Sequence, residues 1–232
     1  EVYKQKADLG LAFDGDGDRV GLVTDKGEIV FPDKIMMMLS KDILTKEKGS
    51  VIFDVKCSDS LIKIIEEYGG TPIMSPTGHF HIKNGIKKHN PLLAGEMSGH
   101  IFYKYKYYGY DDAIYASLKL IKIINDEKSK LSDLIDPYIK SSSTPEIKLY
   151  CEESMKFNLL NEIIIKLKKS YQKDTLIDID GIRIESKDFW FLIRASNTQN
   201  CLVFRLEHFK KKLFKEELKK LISIFNKFDL NI

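Results

Sequence analysis

Short apolar runs alternate with segments of helical periodicity over the first 140 residues, and this alternation limits the fold more than any other feature. The apolar runs predict buried strands at residues 9–13, 19–24, 50–55, 71–75 and 92–94. Apolar side chains at helical spacing predict helices at residues 33–45, 58–68, 83–89 and 111–125, the first capped by Asp33. Strands that alternate with helices are typical of an α/β fold with a mixed, mostly parallel sheet.

The composition changes near residue 140. The segment SSSTP at residues 141–145 is the best linker candidate in the chain. Beyond it the patterns predict strands at residues 146–151, 189–194 and 201–206, a strand pair around residues 180–181, and helices at residues 155–170 and 209–228. This order predicts a smaller α+β domain at the carboxyl end.

Composition and charge exclude several classes of protein. Hydrophobic residues make up 43% of the 232 residues and the formal net charge is +3, so we expect a folded chain. The balance of 37 basic and 34 acidic residues argues against a nucleic-acid-binding protein, and no apolar run has the length of a membrane helix. The three cysteines, which lack C-x-x-C spacing, favour reduced thiols over a zinc site or disulfides. We therefore predict a soluble, cytoplasmic protein, and the start at Glu1 without a nearby Met predicts a fragment.

An acidic loop follows the first predicted strand. Its residues, DGDGDR at positions 14–19, place Asp14, Asp16 and Asp18 at alternate positions with glycines between them. Glycine adopts backbone angles that other residues avoid, so the three carboxylates can converge on one point. They repel one another unless a cation is present, and ligands that are all oxygens favour Mg²⁺ over zinc or copper. The loop therefore predicts a Mg²⁺ site rather than an ordinary Asp-Gly hairpin turn.

Two other interpretations of this loop are informative. An EF-hand loop also begins D-x-D-x-D, but its sixth position is glycine and its twelfth is glutamate, where this chain has Arg19 and Asp25. The EF-hand is therefore excluded. A strand followed by D-x-D is also typical of phosphatases of the haloacid dehalogenase type, in which the first aspartate is the nucleophile. These have Thr or Val two residues after the second aspartate, where this chain has Asp18, and they remain the second interpretation.

Three further polar loops follow predicted strands, which is where α/β proteins place their ligands. Lys56 follows the strand at residues 50–55, and His79 lies in Thr-Gly-His after the strand at residues 71–75. Glu96, Ser98 and His100 lie between glycines in GEMSGH. A carboxylate, a hydroxyl and an imidazole together can hydrogen-bond several hydroxyls of a polyol, so this loop predicts a sugar site. An ordinary polar loop is the alternative.

A cluster of hydrogen-bond donors ends the predicted strand at residues 189–194. Arg194 offers a planar fork, and Ser196, Asn197 and Thr198 offer hydroxyl, amide and backbone N–H groups, a set that suits a phosphate. A simple turn is the alternative. Only four of the 37 basic residues are arginines, namely Arg19, Arg183, Arg194 and Arg205. Because lysine is the common cation of this chain, a position occupied by arginine instead indicates a need for its bidentate geometry.

Taken together, these motifs resemble the α-D-phosphohexomutase family. DGDGDR is similar to its metal loop, TGH to an active-site loop, GEMSGH to its sugar-binding loop and RASNT to its phosphate-binding loop, all in the family's order. The resemblance covers essentially the whole chain. It implies that residues 1–31 end domain two, residues 32–140 form domain three and residues 141–232 form domain four of a four-domain protein.

The resemblance also implies an activity and residue roles. Family members interconvert hexose 6-phosphate and hexose 1-phosphate through a hexose bisphosphate, with Mg²⁺ beside a phosphoserine. By resemblance the metal ligands are the three aspartates of the acidic loop, Arg19 lies beside the transferring phosphoryl group, and Lys56 and His79 lie near the proton transfers. Glu96 and Ser98 would contact sugar hydroxyls, with His100 in the same loop. The residues that would hold the second phosphate are Arg194, Ser196, Asn197 and Thr198.

One departure from the family is large. Its serine nucleophile lies in a T-x-S-H-N-P-like motif of domain one, and this sequence contains no such motif. We therefore expect this chain alone to lack mutase turnover, with the N-terminal domains as its missing intramolecular partner and a sugar phosphate as its ligand. The alternatives are a non-catalytic remnant that binds Mg²⁺ and a sugar phosphate, and a phosphatase that uses Asp14. We also expect Arg194→Lys to weaken sugar-phosphate binding, Arg205→Lys not to, and Arg183 to be a further phosphate contact.

Overall fold

The computed structural model of the protein describes residues 1–138 and 141–230. It forms two compact units, Glu1–Ile139 and Lys140–Ile232. The domain boundary predicted between residues 140 and 141 adjoins residues 139–140, which lie outside the described residues. The division of the first unit at residue 31 stays a prediction.

The first unit opens with an antiparallel hairpin that presents the acidic loop. A one-turn helix, α1 (Val2–Gln5), precedes β1 (Leu9–Phe13), which pairs with β2 (Val20–Thr24), and β2 pairs with β3 (Ile29–Val30). The predicted hairpin is thus confirmed, with residues 14–19 as its loop.

A four-stranded mixed sheet forms the centre of the first unit. Its strands are β4 (Ser50–Asp54), β5 (Thr71–Ser75), β6 (Leu93–Gly95) and β7 (Ile101–Tyr103), in the order β5-β4-β6-β7. β4 is parallel to β5 and to β6, whereas β7 is antiparallel to β6. Its helices are α2 (Pro32–Leu44), α3 (Asp59–Glu67), α4 (His79–His89), α5 (Ala113–Glu127) and α6 (Leu131–Ile135), followed by a 3-10 turn at Asp136–Tyr138.

Both faces of this sheet are buried. Side chains alternate between the faces of a strand, and in β4 Val51 and Phe53 join the main core with residues of α2, α3 and α5. Ile52 points the other way, into a smaller cluster that includes Ile82 and Ile86 of α4. Helices therefore cover both faces, which leaves the strand ends as the accessible part of the sheet.

The second unit is an antiparallel sheet packed against two helices. Its strands are β8 (Ser142–Ser143), β9 (Ile147–Tyr150), β10 (Thr175–Ile177), β11 (Ile182–Glu185), β12 (Phe189–Ala195) and β13 (Cys201–His208). The order is β10-β11-β12-β13-β8, and β9 also pairs with β13. α7 (Lys156–Ser170) and α8 (Phe214–Phe225) supply apolar side chains to the core, and a 3-10 turn at Asn226–Phe228 follows α8. The predicted fold class, α/β followed by a smaller α+β part, is confirmed.

The structure corrects three local expectations. Asp33 does not cap α2, because Phe31 takes the cap position and Pro32 the first turn; Asp33 is instead buried and accepts a hydrogen bond from the backbone N–H of Ser58 at 3.2 Å. α4 starts earlier than predicted, at His79. The last long helix starts later, at Phe214, and the backbone N–H of Phe209 donates to the Asp188 carbonyl at 2.7 Å. In the described part of the chain, the helices are too short or too polar to cross a bilayer.

Candidate functional site

Three of the predicted loops lie at one edge of the mixed sheet. β4, β5 and β6 run parallel, so their carboxyl ends share that edge. Lys56 follows β4, the Thr-Gly-His loop follows β5, and the loop that begins at Glu96 follows β6. The sheet topology therefore brings together residues that are far apart in the sequence.

Hydrogen bonds join these loops to one another. Glu96 is buried, and its Oε1 accepts a hydrogen bond from the Gly78 N–H at 2.9 Å. Asp54, at the end of β4, accepts one from the Met97 N–H at 3.3 Å and pairs with the Nζ of Lys56 at 3.5 Å. Burial, reinforced by the nearby carboxylate of Asp54, raises the pKa of Glu96. These contacts tie the ends of β4, β5 and β6 into one hydrogen-bonded edge that carries charged side chains.

A carboxylate that the sequence did not reveal holds the two predicted histidines. Asp111 Oδ2 accepts from His79 Nε2 at 2.6 Å and from His100 Nδ1 at 3.0 Å, and the two imidazole rings lie 5.1 Å apart. Burial alone would raise the pKa of Asp111, but the hydrogen bond from His79 and the charges of both rings lower it. The only sequence signal was an extra aspartate before Asp112, the cap residue of α5.

The acidic loop folds as its glycines suggest. One carboxylate oxygen from each of Asp14, Asp16 and Asp18 lies within 4.8 Å of the others. Gly17 has a φ of 74°, a left-handed conformation that lets the chain turn between the last two aspartates. Three converging carboxylates are a donor set suited to a hard cation such as Mg²⁺.

Arg19 neutralises part of this negative charge. Its backbone N–H donates to Asp14 Oδ1 at 3.1 Å, its Nε donates to Asp14 Oδ2, and its Nε lies 3.7 Å from Asp18 Oδ1. Burial works the other way, but these hydrogen bonds lower the pKa of Asp14 to about 2. Burial and repulsion from the two neighbouring aspartates raise the pKa of Asp18. Asp18 Oδ1 is buried with no hydrogen-bond partner among the described residues, so the loop has acceptor capacity for a cation.

The acidic loop also contacts the sugar-loop edge. Arg19 and His100 form an isolated β-bridge, and the Val20 N–H donates to the Gly99 carbonyl at 3.3 Å. Gly99 has a φ of 106°, and a Cβ there would lie 3.2 Å from the Val20 carbonyl, so a larger residue would obstruct the approach. Asp18 Oδ2 lies 3.6 Å from His100 Nδ1. Ser98 is exposed and lines an open groove with Asp14 and Arg19. All the candidate residues of the first unit thus form one connected site.

The predicted phosphate loop lies in the second unit. Arg194, near the end of β12, is buried, and its Nε donates to Asp180 Oδ2 at 2.8 Å. The turn at Asp180 passes close to the Arg194 backbone. A Cβ on Gly181 would lie only 2.7 Å from the Arg194 Cα, so the close approach requires glycine at this position. Arg194 Nη2 is buried and has no hydrogen-bond partner among the described residues, so one donor of the guanidinium is unused.

The rest of the loop is a tight turn. Ser196 Oγ accepts hydrogen bonds from the backbone N–H of Thr198 at 3.4 Å and of Gln199 at 3.2 Å. Asn197 and Thr198 are exposed. Sequence reasoning missed two partners of this loop, the partly buried Asp180 and the buried Lys156.

The remaining two arginines belong to a buried aromatic cluster. The Arg183 guanidinium carbon lies 3.8 Å from the centre of the Trp190 ring, and that of Arg205 lies 5.5 Å from it. The side chain of Arg183 is fully buried and pairs with Glu185 at 2.8 Å. Neither arrangement favours a contact with phosphate, so the expectation for Arg183 is not supported; Arg205 is buried beside Trp190, in keeping with its expected lack of a role in binding.

Comparison with known proteins decides the family. Residues 31–141 match the model of the phosphoglucomutase/phosphomannomutase alpha/beta/alpha domain III. A phosphomannomutase/phosphoglucomutase of Pseudomonas syringae is 46% identical over 210 residues, which cover 89% of this chain and 44% of that protein. The chain belongs to the α-D-phosphohexomutase family.

Other phosphohexomutases align with all or nearly all of the chain. The phosphomannomutase of Methanocaldococcus jannaschii is 32% identical over 232 residues, covering 100% of this chain and 50% of that protein. The crystal structure of a phosphoglucomutase/phosphomannomutase family protein from Burkholderia thailandensis superposes with a TM-score of 0.87 and 32% identity, covering 98% of this chain and 48% of that one. The chain therefore spans about half the length of the phosphohexomutases it matches.

Proposed function

We propose that this chain is the Mg²⁺- and sugar-phosphate-binding part of a phosphohexomutase that interconverts hexose 6-phosphate and hexose 1-phosphate through a hexose bisphosphate. The observation that carries the proposal is the convergence of Asp14, Asp16 and Asp18 beside Arg19, on a loop that contacts the sugar-loop edge. The names of the relatives support this reaction. The cytoplasmic location expected from the composition forms part of the proposal.

The acidic loop has the charges that phosphoryl transfer requires. We propose that Asp14, Asp16 and Asp18 hold Mg²⁺, which would supply positive charge to neutralise a phosphoryl group in transit. Arg19 would place its remaining donors beside that group. Because its Nε is held by Asp14, the plane of the guanidinium is set before the substrate arrives.

The sheet edge would orient the sugar. Glu96 and Ser98 are proposed to bind its hydroxyls, with His100 beside them. Lys56 and His79 are proposed to act near the proton transfers, and each faces a carboxylate that holds it, Asp54 at 3.5 Å and Asp111 at 2.6 Å. In the second unit, the group proposed to hold the phosphate that is not transferred is Arg194, Ser196, Asn197 and Thr198.

The proposal has a direct test. We expect the chain alone to show no turnover of mannose 1-phosphate with a catalytic hexose bisphosphate and Mg²⁺, since no phosphoserine motif is present to donate the phosphoryl group. The longer reading frame with an upstream Ser-His-Asn motif should show turnover, and Asp16→Asn in it should abolish most of that. Turnover by the chain alone would refute the expected inactivity. An upstream region without such a motif would favour the non-catalytic remnant.

The phosphatase interpretation makes a different prediction. It requires Asp14 as nucleophile, but both oxygens of Asp14 accept hydrogen bonds from Arg19, which reduces their availability. An aspartyl-phosphate trapped on Asp14, together with phosphatase turnover that Asp14→Asn removes, would support the phosphatase. Under the mutase proposal no such adduct forms.

A further inference from the structure

Lys156 is a buried cation that none of the roles above explains. It is the first residue of α7, and only 3% of its surface is exposed. A cation at a helix N-terminus is disfavoured by the helix dipole, and burying an ammonium group costs free energy. The other lysines of the same helix, such as Lys166, are exposed. The free-energy cost of burying the Lys156 ammonium group at this position must therefore be offset by other contacts.

The contacts of Lys156 converge on the phosphate loop. Its Nζ donates to the Ser196 carbonyl at 3.0 Å and lies 3.4 Å from the Gln199 carbonyl, so it holds both ends of the turn. Its charge is balanced by Glu153, whose two carboxylate oxygens lie 2.9 and 2.7 Å away. The ammonium group thus links the start of α7 to a loop 40 residues further along the chain.

This attachment sets the direction of one backbone N–H. In a trans peptide the C=O and the following N–H point in opposite directions. Because the Ser196 carbonyl points at Lys156, the Asn197 N–H points away from it, and it donates to no other described residue. Backbone N–H groups that point outward from a turn are suited to bind an anion.

We infer that Lys156 is a positioning residue of the phosphate loop: it anchors the Ser196 and Gln199 carbonyls so that the Asn197 N–H is presented to the phosphate of a sugar phosphate. The inference rests on the proposed function, which makes this loop the phosphate site. Lys156 itself does not touch the ligand.

The test measures binding of mannose 1-phosphate to the whole chain by NMR titration, which reports both the Kd and the shift of the Asn197 amide. We expect Lys156→Met to raise the Kd by about tenfold or more and to remove most of the phosphate-induced shift of that amide. Lys156→Arg, which keeps a cation of similar reach, should stay within about threefold of the unaltered chain, and the exposed control Lys166→Met within about twofold.

The outcomes separate the two claims. If the unaltered chain shows no phosphate-induced shifts at residues 196–198, the proposed phosphate site is wrong and the inference falls with it. If the unaltered chain and Lys156→Met bind equally, with equal Asn197 shifts, the positioning role alone is wrong. Should Lys156→Met fail to fold, the unaltered chain decides: ammonium protons of Lys156 in slow exchange with water, and shifted on phosphate binding, support the role, whereas fast exchange and no shift overturn it.

Discussion

The acidic loop of the first unit and the phosphate loop of the second are both proposed to bind charged ligands, but they differ in how their own charges are balanced. In the acidic loop three carboxylates face one arginine, Arg19, whose side chain is 50% exposed. At the phosphate loop, Arg194 and the Lys156 side chain that contacts the loop from α7 are both buried. Each already has a carboxylate partner, Asp180 and Glu153 respectively.

The two loops therefore differ in what a bound ligand would change. The acidic loop carries excess negative charge, so a bound cation lowers its electrostatic energy and stabilises the folded state. The phosphate loop is balanced before any ligand arrives, and its hydrogen bonds fix its shape. We therefore expect the first loop to be completed by its ligand and the second to be preorganised for it.

The largest expected effect concerns the metal. Asp16 is the most exposed of the three aspartates and makes no hydrogen bond to another described residue, so Asp16→Asn removes a ligand charge without disturbing the fold. We expect it to weaken Mg²⁺ binding by about 100-fold, measured by isothermal calorimetry, and to remove the Mg²⁺-dependent rise in unfolding temperature.

The matched control for this experiment is Asp8→Asn, an exposed aspartate outside the loop, which should bind Mg²⁺ as the unaltered chain does. Equal Mg²⁺ affinity for Asp16→Asn and the unaltered chain would contradict the metal assignment. A Mg²⁺-dependent stabilisation of the second unit equal to that of the first would contradict the proposed difference between the two loops.

A smaller effect is expected at the phosphate loop. Arg194 uses Nε for Asp180 and keeps Nη2 for a ligand, two directions that a single ammonium group cannot serve together. We expect Arg194→Lys to weaken binding of mannose 1-phosphate by about tenfold, measured by calorimetry. Arg205→Lys is the matched control: Arg205 is buried near Trp190, so this change should lower stability and leave affinity within about twofold. Equal losses of affinity for the two variants would show that the site depends on general packing rather than on the Arg194 fork.

The sequence made the loops of both sites predictable but not the residues that hold them. Polar residues directly after apolar runs indicate strand ends, and parallel strands bring those ends to one edge, which is why the positions of Lys56, His79 and Glu96 followed. Asp111 and Lys156 did not follow, because their partners lie 32 and 40 residues away, and no local pattern encodes such pairs. The prediction for Asp33 is wrong for a related reason. Its position before an apolar run is typical of a helix cap, but its carboxylate instead accepts a hydrogen bond from the backbone N–H of Ser58, at the start of α3.

The smallest expected effect concerns the hairpin that carries the acidic loop. Asp25, just after β2, accepts hydrogen bonds from the backbone N–H of Ser132 at 2.9 Å and from its hydroxyl at 3.2 Å, so it ties the hairpin to α6. Burial alone would raise the pKa of Asp25, but these hydrogen bonds lower it. We expect Asp25→Asn to cost about 1–2 kcal/mol of unfolding free energy at neutral pH, measured by urea unfolding.

The pH dependence follows from the lowered pKa. A carboxyl with a lower pKa in the folded state than in the unfolded chain contributes stability above its unfolded value, near pH 4, and that contribution is lost as the pH falls through the folded value. The difference between Asp25→Asn and the unaltered chain should therefore shrink below about pH 4. A difference that stays constant into acid would mean that shape rather than charge holds the hairpin. If the Asp25 anchor shaped the acidic loop, Asp25→Asn would weaken Mg²⁺ binding. Mg²⁺ affinity within about threefold of the unaltered chain would therefore mean that the loop depends on its cation and not on this anchor.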